Sequence, residues 1–155
     1  WEISVSHSGE WVALALTQGV PVGVDVERVS ATRDLEGLAG YTLGSVESEA
    51  WRRLPPSEQV LGFFRYWARK EALLKATGLG LWGGLRRVLV SPPDTAPELL
   101  SWSGDGGPEE ATLLDLERGE EYRSALAVLT DRPVRLTVRP HEDAVRLMRS
   151  LPAGA

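Results

Sequence analysis

Two carboxylates stand side by side on one face of a predicted strand near the start of the chain. Residues 20–27 alternate apolar and other side chains with a period of two, which predicts a strand. Because side chains alternate across a strand, Asp25 and Glu27 point to the same face, as does Gly23. Carboxylates are ligands that Mg²⁺ prefers, but they also occur on the solvated faces of ordinary strands. The sequence GVDVE by itself favours the solvated face.

A third carboxylate, Glu71, lies close to the apolar stripe of the most clearly predicted helix. Apolar residues recur at helical spacing over residues 60–74. A carboxylate near such a stripe needs a cation or hydrogen-bond donors, because desolvating an unpaired charge is costly. Lys75, one turn later, offers an i,i+4 ion pair worth roughly 0.2–0.5 kcal/mol. The alternative is a cleft in which Asp25, Glu27 and Glu71 hold Mg²⁺ and nearby lysines neutralise phosphate.

The composition of the 155-residue chain narrows the chemistry that these residues can support. The chain has no cysteine and only two histidines, which excludes thiolate chemistry and argues against an all-imidazole metal site. The formal net charge of −5 gives no general basic surface for nucleic acid. No apolar run approaches the roughly 20 residues of a membrane span. Of the 17 basic residues only Lys70 and Lys75 are lysines, and both flank Glu71, which favours the magnesium alternative.

Other motifs are weaker. Gly78, Gly80 and Gly83 fit G-x-G-x-x-G, but they follow a helix instead of joining a strand to one, so they predict a helix end. His7, within the sequence Ser-His-Ser, has no neighbouring acid to orient it for nucleophilic catalysis. We expect His7 either to contact phosphate or to hydrogen-bond loop backbone. His141 is assigned no role.

The predicted elements run strand, strand, helices and then further strands, an order typical of an α+β fold and not of alternating βαβ units. Residues 11–17 and 20–27 are predicted to form a hairpin, followed by short helices between 31 and 54. A long helix is expected to be capped by Ser57 and to end at Gly78. Further strands are predicted at residues 85–91, 112–117, 122–130 and 134–139, with a long exposed connection at 92–110. We therefore expect one α+β domain over residues 1–155, with an antiparallel sheet packed against helices.

Three blocks, in this order, resemble the Sfp-type 4′-phosphopantetheinyl transferases, which activate carrier proteins. The blocks are residues 3–11 (ISVSHSGEW), 23–27 (GVDVE) and 67–78 (WARKEALLKATG). The resemblance implies one pseudo-repeat of the 4′-phosphopantetheinyl transferase-like fold. It also implies attack by a carrier-protein serine on the pantetheine-side phosphorus of coenzyme A, which releases adenosine 3′,5′-bisphosphate.

The resemblance further implies roles for individual residues. The implied magnesium ligands are Asp25, Glu27 and Glu71. The implied contacts to the phosphates of coenzyme A are His7, Lys70 and Lys75. The implied catalytic residues are Glu71, Lys75 and a base that takes the serine proton, with Glu47 as the candidate base and Glu49 as its competitor.

The chain departs from the resembled family in covering only its second half. Sfp-type enzymes hold coenzyme A between two similar halves, so the missing half implies a fragment, a partner chain or self-association. We expect a fragment, because Trp1 is not a start residue, and the lack of a secretory signal predicts the cytoplasm. The expected partner is an acyl, polyketide or peptidyl carrier protein. A magnesium-dependent phosphohydrolase and an inactive carrier-protein-binding module remain as alternatives.

Overall fold

Seven strands, three helices and one 3₁₀ turn form the part of the chain that the structure describes. The structure is a computed structural model, and it describes residues 1–31, 34–80, 84–116 and 119–139. The strands are β1 (Glu2–Ser8), β2 (Trp11–Thr17), β3 (Val22–Arg28), β4 (Val88–Val90), β5 (Leu99–Trp102), β6 (Thr112–Asp115) and β7 (Tyr122–Val128). The helices are α1 (Leu35–Thr42), α2 (Ser45–Arg52) and α3 (Pro56–Thr77), and the 3₁₀ turn Leu85–Arg87 precedes β4.

The strands pair antiparallel in three groups, and α3 packs across two of the strands. β1 pairs with β2, β7 lies between β3 and β6, and β4 pairs with β5. α3 contacts β3 and β7 most extensively, and its apolar face is buried against them. The helical residues Phe63, Phe64, Leu73 and Leu74 are fully buried in this core. The predicted α+β class, an antiparallel sheet packed against helices, is confirmed.

The predicted hairpin of residues 11–17 and 20–27 is wrong. β2 pairs with β1, from Glu2 opposite Thr17 to Ser8 opposite Trp11, whereas β3 pairs with β7. The two-residue connection between β1 and β2 begins with Gly9 at φ 57°, a conformation suited to a tight turn. Period-two alternation identifies a strand but contains no information about its partner, which explains the error.

The long predicted helix is confirmed at its end and corrected at its start. Gly78 ends α3 in the left-handed conformation, with φ 72°, as predicted. The predicted cap at Ser57 is wrong, because the helix begins at Pro56 and the preceding residue makes no side-chain cap. Proline is well suited to the first helical position, since its fixed φ is helical and its missing N–H would have no partner there.

Three smaller expectations also need correction. Within residues 85–91 only Val88–Val90 is a strand, because the chain enters through a 3₁₀ turn. The connection at 92–110 contains β5, a short apolar run surrounded by glycines and prolines. Residues 134–139 alternate like a strand but form none, and Leu136 and Val138 are exposed.

None of the helices within the described ranges is both long and apolar enough to cross a membrane. A single domain over residues 1–155 stays a prediction.

A glycine lets the backbone of β3 lie directly against the backbone of α3. A Cβ atom added at Gly23 would stand 1.9 Å from the Ala72 carbonyl oxygen and 2.5 Å from the Ala76 nitrogen. Atoms at these distances overlap, so any larger residue would push the strand away from the helix. Ala72 and Ala76 keep the helix side of this contact small. Gly23 therefore sets how closely the later residues of β3 approach α3.

Two buried ion pairs attach α3 to the rest of the fold. Arg69 donates Nε and Nη2 to the Asp115 carboxylate at 2.9 and 2.7 Å and also donates to backbone oxygens of the 91–95 segment. Lys70 Nζ donates to Glu47, to the Thr42 carbonyl at 2.9 Å and to the Leu85 carbonyl at 3.1 Å. These bonds hold β6, α2 and the entry to β4 against one helix.

Replacement of Gly23 with alanine should destabilise the protein. We expect Gly23→Ala to lower the free energy of unfolding by at least about 1–3 kcal/mol, because its Cβ meets backbone that cannot rotate away. Urea unfolding measures this loss. Gly40→Ala in α1 is the matched control, since its Cβ enters open space and alanine favours a helix. Equal stability of both variants would contradict the close contact.

Removal of the buried Lys70 charge should lower the free energy of unfolding more than removal of an exposed charge. Lys70→Met leaves the Glu47 carboxylate buried without its cation, which should lower the free energy of unfolding by roughly 3–5 kcal/mol. Arg53→Met breaks the exposed Arg53–Glu49 pair and should change the free energy of unfolding by less than about 1 kcal/mol. Thermal or urea unfolding compares the two. A Lys70→Met protein as stable as the unsubstituted chain would show that the buried pair contributes nothing.

Candidate functional site

A cleft of about 370 Å³ opens where β1, β3 and α3 meet. Seven of its lining residues belong to the three sequence blocks singled out above and carry polar or aromatic side chains, with Val5 completing the wall. They are Ser6, His7, Asp25, Glu27, Trp67, Glu71 and Lys75. The fold thus brings together all three predicted metal ligands, one predicted lysine and the predicted histidine.

Two residues donate hydrogen bonds to the same oxygen of Asp25. Its Oδ1 accepts hydrogen bonds from Ser6 Oγ and from Lys75 Nζ, each at 2.8 Å. Its Oδ2 is buried and accepts no hydrogen bond within the described part of the chain. Burial raises the pKa of Asp25, and the Lys75 ammonium counteracts part of that rise. The carboxylate therefore presents one unsatisfied oxygen.

Glu71 faces the same cleft from α3, and its ionisation is strongly perturbed. Burial, followed by the charge of Asp25, raises the pKa of Glu71 to about 7, with Lys75 lowering it and Glu27 raising it further. Glu71 Oε1 is buried without a hydrogen-bond partner among the described residues. The Lys75 ammonium hydrogen-bonds to Asp25 and to the Val24 carbonyl of β3, at 3.1 Å for the latter. The expected i,i+4 pair with Glu71 is thus replaced by an ion pair across the cleft.

The chemistry of this donor set fits a hard divalent cation. Burial and the charges of Asp25 and Glu27 raise the pKa of Glu71, and both Asp25 and Glu71 carry a buried oxygen without a partner among the described residues, which a cation would satisfy. As the side chains stand, no three acidic or histidine groups in the described residues form a ready metal site. A cation would therefore bind with rearrangement of the carboxylates, and of Lys75 on Asp25. Asp25, Glu27 and Glu71 are the residues that would hold it.

Two predicted site residues, Glu47 and Lys70, lie outside the cleft. They form an ion pair with each other, and their side chains are 1% and 0% exposed. Glu47 also accepts hydrogen bonds from the Gly44 and Val90 backbone amides, at 2.9 and 3.0 Å. Burial lowers the pKa of Lys70, while the Glu47 carboxylate counteracts this effect. In this structure neither group is accessible to a phosphate or a serine, so the placement does not support their predicted roles, which stay predictions.

The pitch of the helix explains why Lys70 and Lys75 lie in different places. Successive residues turn by about 100° around a helix, so Lys70 and Glu71 point in different directions. Residues four apart differ by only about 40°, so Glu71 and Lys75 share a face. The shared face borders the cleft, and the face of Lys70 is turned into the core.

The competing base, Glu49, lies at a different surface. It lines a hollow of about 530 Å³ over α1 and α2, together with Arg52, Arg53 and Arg86. Glu49 pairs with Arg53, and Arg52 pairs with Glu36 at 3.1 Å, all four side chains being mostly exposed. None of the cleft residues borders this hollow, so Glu49 is not placed with the predicted metal ligands.

Sequence reasoning missed the serines that support the cleft carboxylates. Ser6 Oγ donates to Asp25, and Ser8 Oγ donates to Glu27 Oε2 at 3.4 Å. The signal was available: serines at positions 4, 6 and 8 share one face of a strand, and this face contacts β3. Of the weaker motifs, Gly78 and Gly80 follow the helix end, while Gly83 and His141 lie outside the described residues.

Comparisons with known proteins agree with the three blocks. The family model described as the 4′-phosphopantetheinyl transferase superfamily matches residues 21–127. The chain is 36% identical over 129 residues to the 4′-phosphopantetheinyl transferase HetI of Nostoc, covering 81% of this chain and 50% of that protein. It is 37% identical over 103 residues to the 4′-phosphopantetheinyl transferase AcpT of Salmonella typhimurium, covering 64% and 50%. The chain spans about half the length of these curated relatives.

A solved structure shares the fold. The holo-[acyl-carrier-protein] synthase of Thermotoga maritima superposes with a TM-score of 0.58 at 27% identity, covering 73% of this chain and 65% of that one. The family match includes β3 and α3, the two elements that supply the three cleft carboxylates. On this evidence the chain belongs to the 4′-phosphopantetheinyl transferase superfamily.

Proposed function

We propose that the chain provides the metal- and phosphate-binding part of an Sfp-type enzyme. This enzyme transfers the 4′-phosphopantetheine group of coenzyme A to a serine of an acyl, polyketide or peptidyl carrier protein. One observation carries the proposal: carboxylates from β3 and α3, a lysine and a histidine of the three blocks line one cleft. The family match supports it. Location in the cytoplasm stays a prediction.

In the proposed reaction the serine oxygen bonds to the pantetheine-side phosphorus while the phosphorus–oxygen bond of the pyrophosphate breaks. Adenosine 3′,5′-bisphosphate leaves with the bridging oxygen. Magnesium, held by Asp25, Glu27 and Glu71, would neutralise charge on the pyrophosphate. Lys75, at the cleft and 28% exposed, would donate to a phosphate oxygen, and the exposed His7 would contact phosphate from β1.

The proton of the attacking serine needs an acceptor in the same cleft. Glu47 is enclosed by backbone amides and Lys70, and Glu49 lies over α2, so neither lines the cleft. Glu71 lines it and carries a buried oxygen without a hydrogen-bond partner in the described residues. The proposal therefore assigns proton acceptance to Glu71.

The outer face of the β1–β2 hairpin supports completion of the cleft by a second unit. Ile3, Val5 and Val12 are 60%, 52% and 68% exposed on this face, and Val5 also borders the cleft. A two-stranded sheet with an exposed apolar face is typical of a surface that another unit covers. The chain spans half of its curated relatives, so we propose that an N-terminal half covers this face. Self-association of the chain is the alternative arrangement.

Loss of a cleft carboxylate should abolish transfer. We expect Asp25→Asn and Glu71→Gln to lower the rate by at least about 100-fold, because stabilisation of phosphate charge by a metal contributes several kcal/mol. The measurement is the intact mass of an apo carrier protein after incubation with enzyme, coenzyme A and magnesium. The enzyme is the self-associated chain or the chain combined with its N-terminal half.

Glu49→Gln, the same change at an exposed carboxylate, is the matched control and should retain activity. A reaction without magnesium should show no mass gain. Retained transfer by Asp25→Asn would remove Asp25 from the essential residues. Breakdown of coenzyme A at the same rate with and without carrier protein would favour a phosphohydrolase. Carrier binding that survives chelation, without modification, would favour an inactive binding module.

A charge introduced on the outer face of the β1–β2 hairpin should weaken association with the second unit without changing the stability of the chain. Val12→Lys should leave the free energy of unfolding of the chain within about 0.5 kcal/mol, because the side chain is largely exposed. The same variant should weaken association with the second unit and lower transfer in parallel. Val46→Lys on α2, where the valine is 65% exposed, is the control that should affect neither. Equal activity of the two variants would contradict a covered hairpin face.

A further inference from the structure

Three serine hydroxyls connect β1 to β3 where two strands of one sheet would use backbone hydrogen bonds. The hydroxyls of Ser4, Ser6 and Ser8 accept hydrogen bonds from the backbone amides of β3. The donors, in the same order, are Val24 at 3.0 Å, Val26 at 3.3 Å and Arg28 at 2.9 Å. We call these residues the serine ladder. It satisfies the edge of β3, which lies beside β1 without a backbone ladder between them.

Two rungs of the ladder continue to the carboxylates. Ser6 accepts from the amide after Asp25 and donates to Asp25 Oδ1 at 2.8 Å. Ser8 accepts from the amide after Glu27 and donates to Glu27 Oε2 at 3.4 Å, a longer and weaker bond. Each serine thus links a backbone amide of β3 to the carboxylate of the residue before it. The Ser4 hydroxyl accepts from the Val24 amide and, among the described residues, hydrogen-bonds to neither carboxylate.

The arrangement restricts which oxygen Asp25 can present. A serine hydroxyl has one hydrogen, and the amide of Val26 occupies a lone pair of Ser6, so the geometry directs that hydrogen to Asp25 Oδ1. Lys75 donates to the same oxygen. Oδ2 therefore remains without a partner within the described chain, and Asp25 lines the cleft together with Glu27 and Glu71.

We propose that Ser6 and, more weakly, Ser8 are positioning residues that orient Asp25 and Glu27 for a divalent cation. This inference rests on the proposed function, because that function supplies the cation. Partners that hold a ligating carboxylate affect metal affinity without touching the metal. Ser4 performs only the structural part of the ladder, attachment of β1 to β3.

Manganese binding to the full chain tests this division. Mn²⁺ replaces Mg²⁺ as the probe, and its free concentration is followed by electron paramagnetic resonance. Ser6→Ala should weaken Mn²⁺ binding by about 10-fold or more, since loss of such partners typically reduces affinity 10–100-fold. Ser8→Ala should weaken it by roughly 2–5-fold, in keeping with its longer bond. Ser4→Ala should change it by less than about 2-fold.

Unfolding in urea shows whether a loss of Mn²⁺ affinity arises from a misplaced carboxylate or from a general loss of stability. Ser4 and Ser6 are both buried, and each alanine variant leaves one β3 amide without its partner, so both should lower the urea midpoint to a similar extent. Ser6→Thr keeps the hydroxyl and should bind Mn²⁺ within about 3-fold of the unsubstituted chain. A similar loss of stability with a large difference in affinity would support the proposal.

Other outcomes would overturn it. Equal Mn²⁺ affinity of folded Ser6→Ala and Ser4→Ala would reduce the ladder to a structural role. If Ser6→Ala does not fold, Ser8→Ala and Ser6→Thr replace it as the test. In that case an unchanged Mn²⁺ affinity of Ser8→Ala, together with a weakened Mn²⁺ affinity of Ser6→Thr, would also reduce the ladder to a structural role. Failure of the unsubstituted chain to bind Mn²⁺ would instead contradict the proposed metal ligands, and the ladder's role with them. The proposal for the serines and the proposal for the function thus fail in different measurements.

Discussion

The contact between the backbones of β3 and α3 is the constraint on which the candidate site depends. Gly23 and the small residues Ala72 and Ala76 allow strand and helix to approach until a methyl group would not fit. Farther along the same strand, this proximity lets Lys75 reach Asp25 and Val24 directly. A wider separation would open the cleft to water and move the carboxylates apart, which would lessen first the burial and then the repulsion from Asp25 that raise the pKa of Glu71.

The edge of β3 beside β1 is completed by side chains instead of a backbone ladder, and these side chains connect the fold to the chemistry of the site. Edge strands carry unpaired amides and carbonyls that must be satisfied or solvated. In β3 the serine ladder takes three amides, and Lys75 takes the carbonyl of Val24. Because Ser6 and Lys75 also bond to Asp25, the interactions that seat the hairpin on β3 are the ones that orient the carboxylate.

Three cations in the second half of α3, Arg69, Lys70 and Lys75, serve different purposes because they point in different directions. Arg69 is fully buried and binds Asp115 through two nitrogens, which suits a planar guanidinium. Lys70 is enclosed by Glu47 and backbone oxygens and fixes α2. Lys75 alone of the three lines the cleft. The two lysines thus divide into one cation buried in the core and one that borders the cleft.

The sequence by itself determined the residue types of the site and the local structure around them. The alternation in GVDVE placed Asp25 and Glu27 on one strand face, and helical spacing placed Glu71 near the core with its helix ending at Gly78. These are properties of a few neighbouring residues, so local periodicity is enough. Only the tertiary structure decided that Lys70 and Glu47 are buried, that β3 pairs with β7 instead of β2, and that serines from β1 hold the carboxylates. Such choices depend on which distant segments pack together, and the free energy of that packing is not written in any single stretch of the chain.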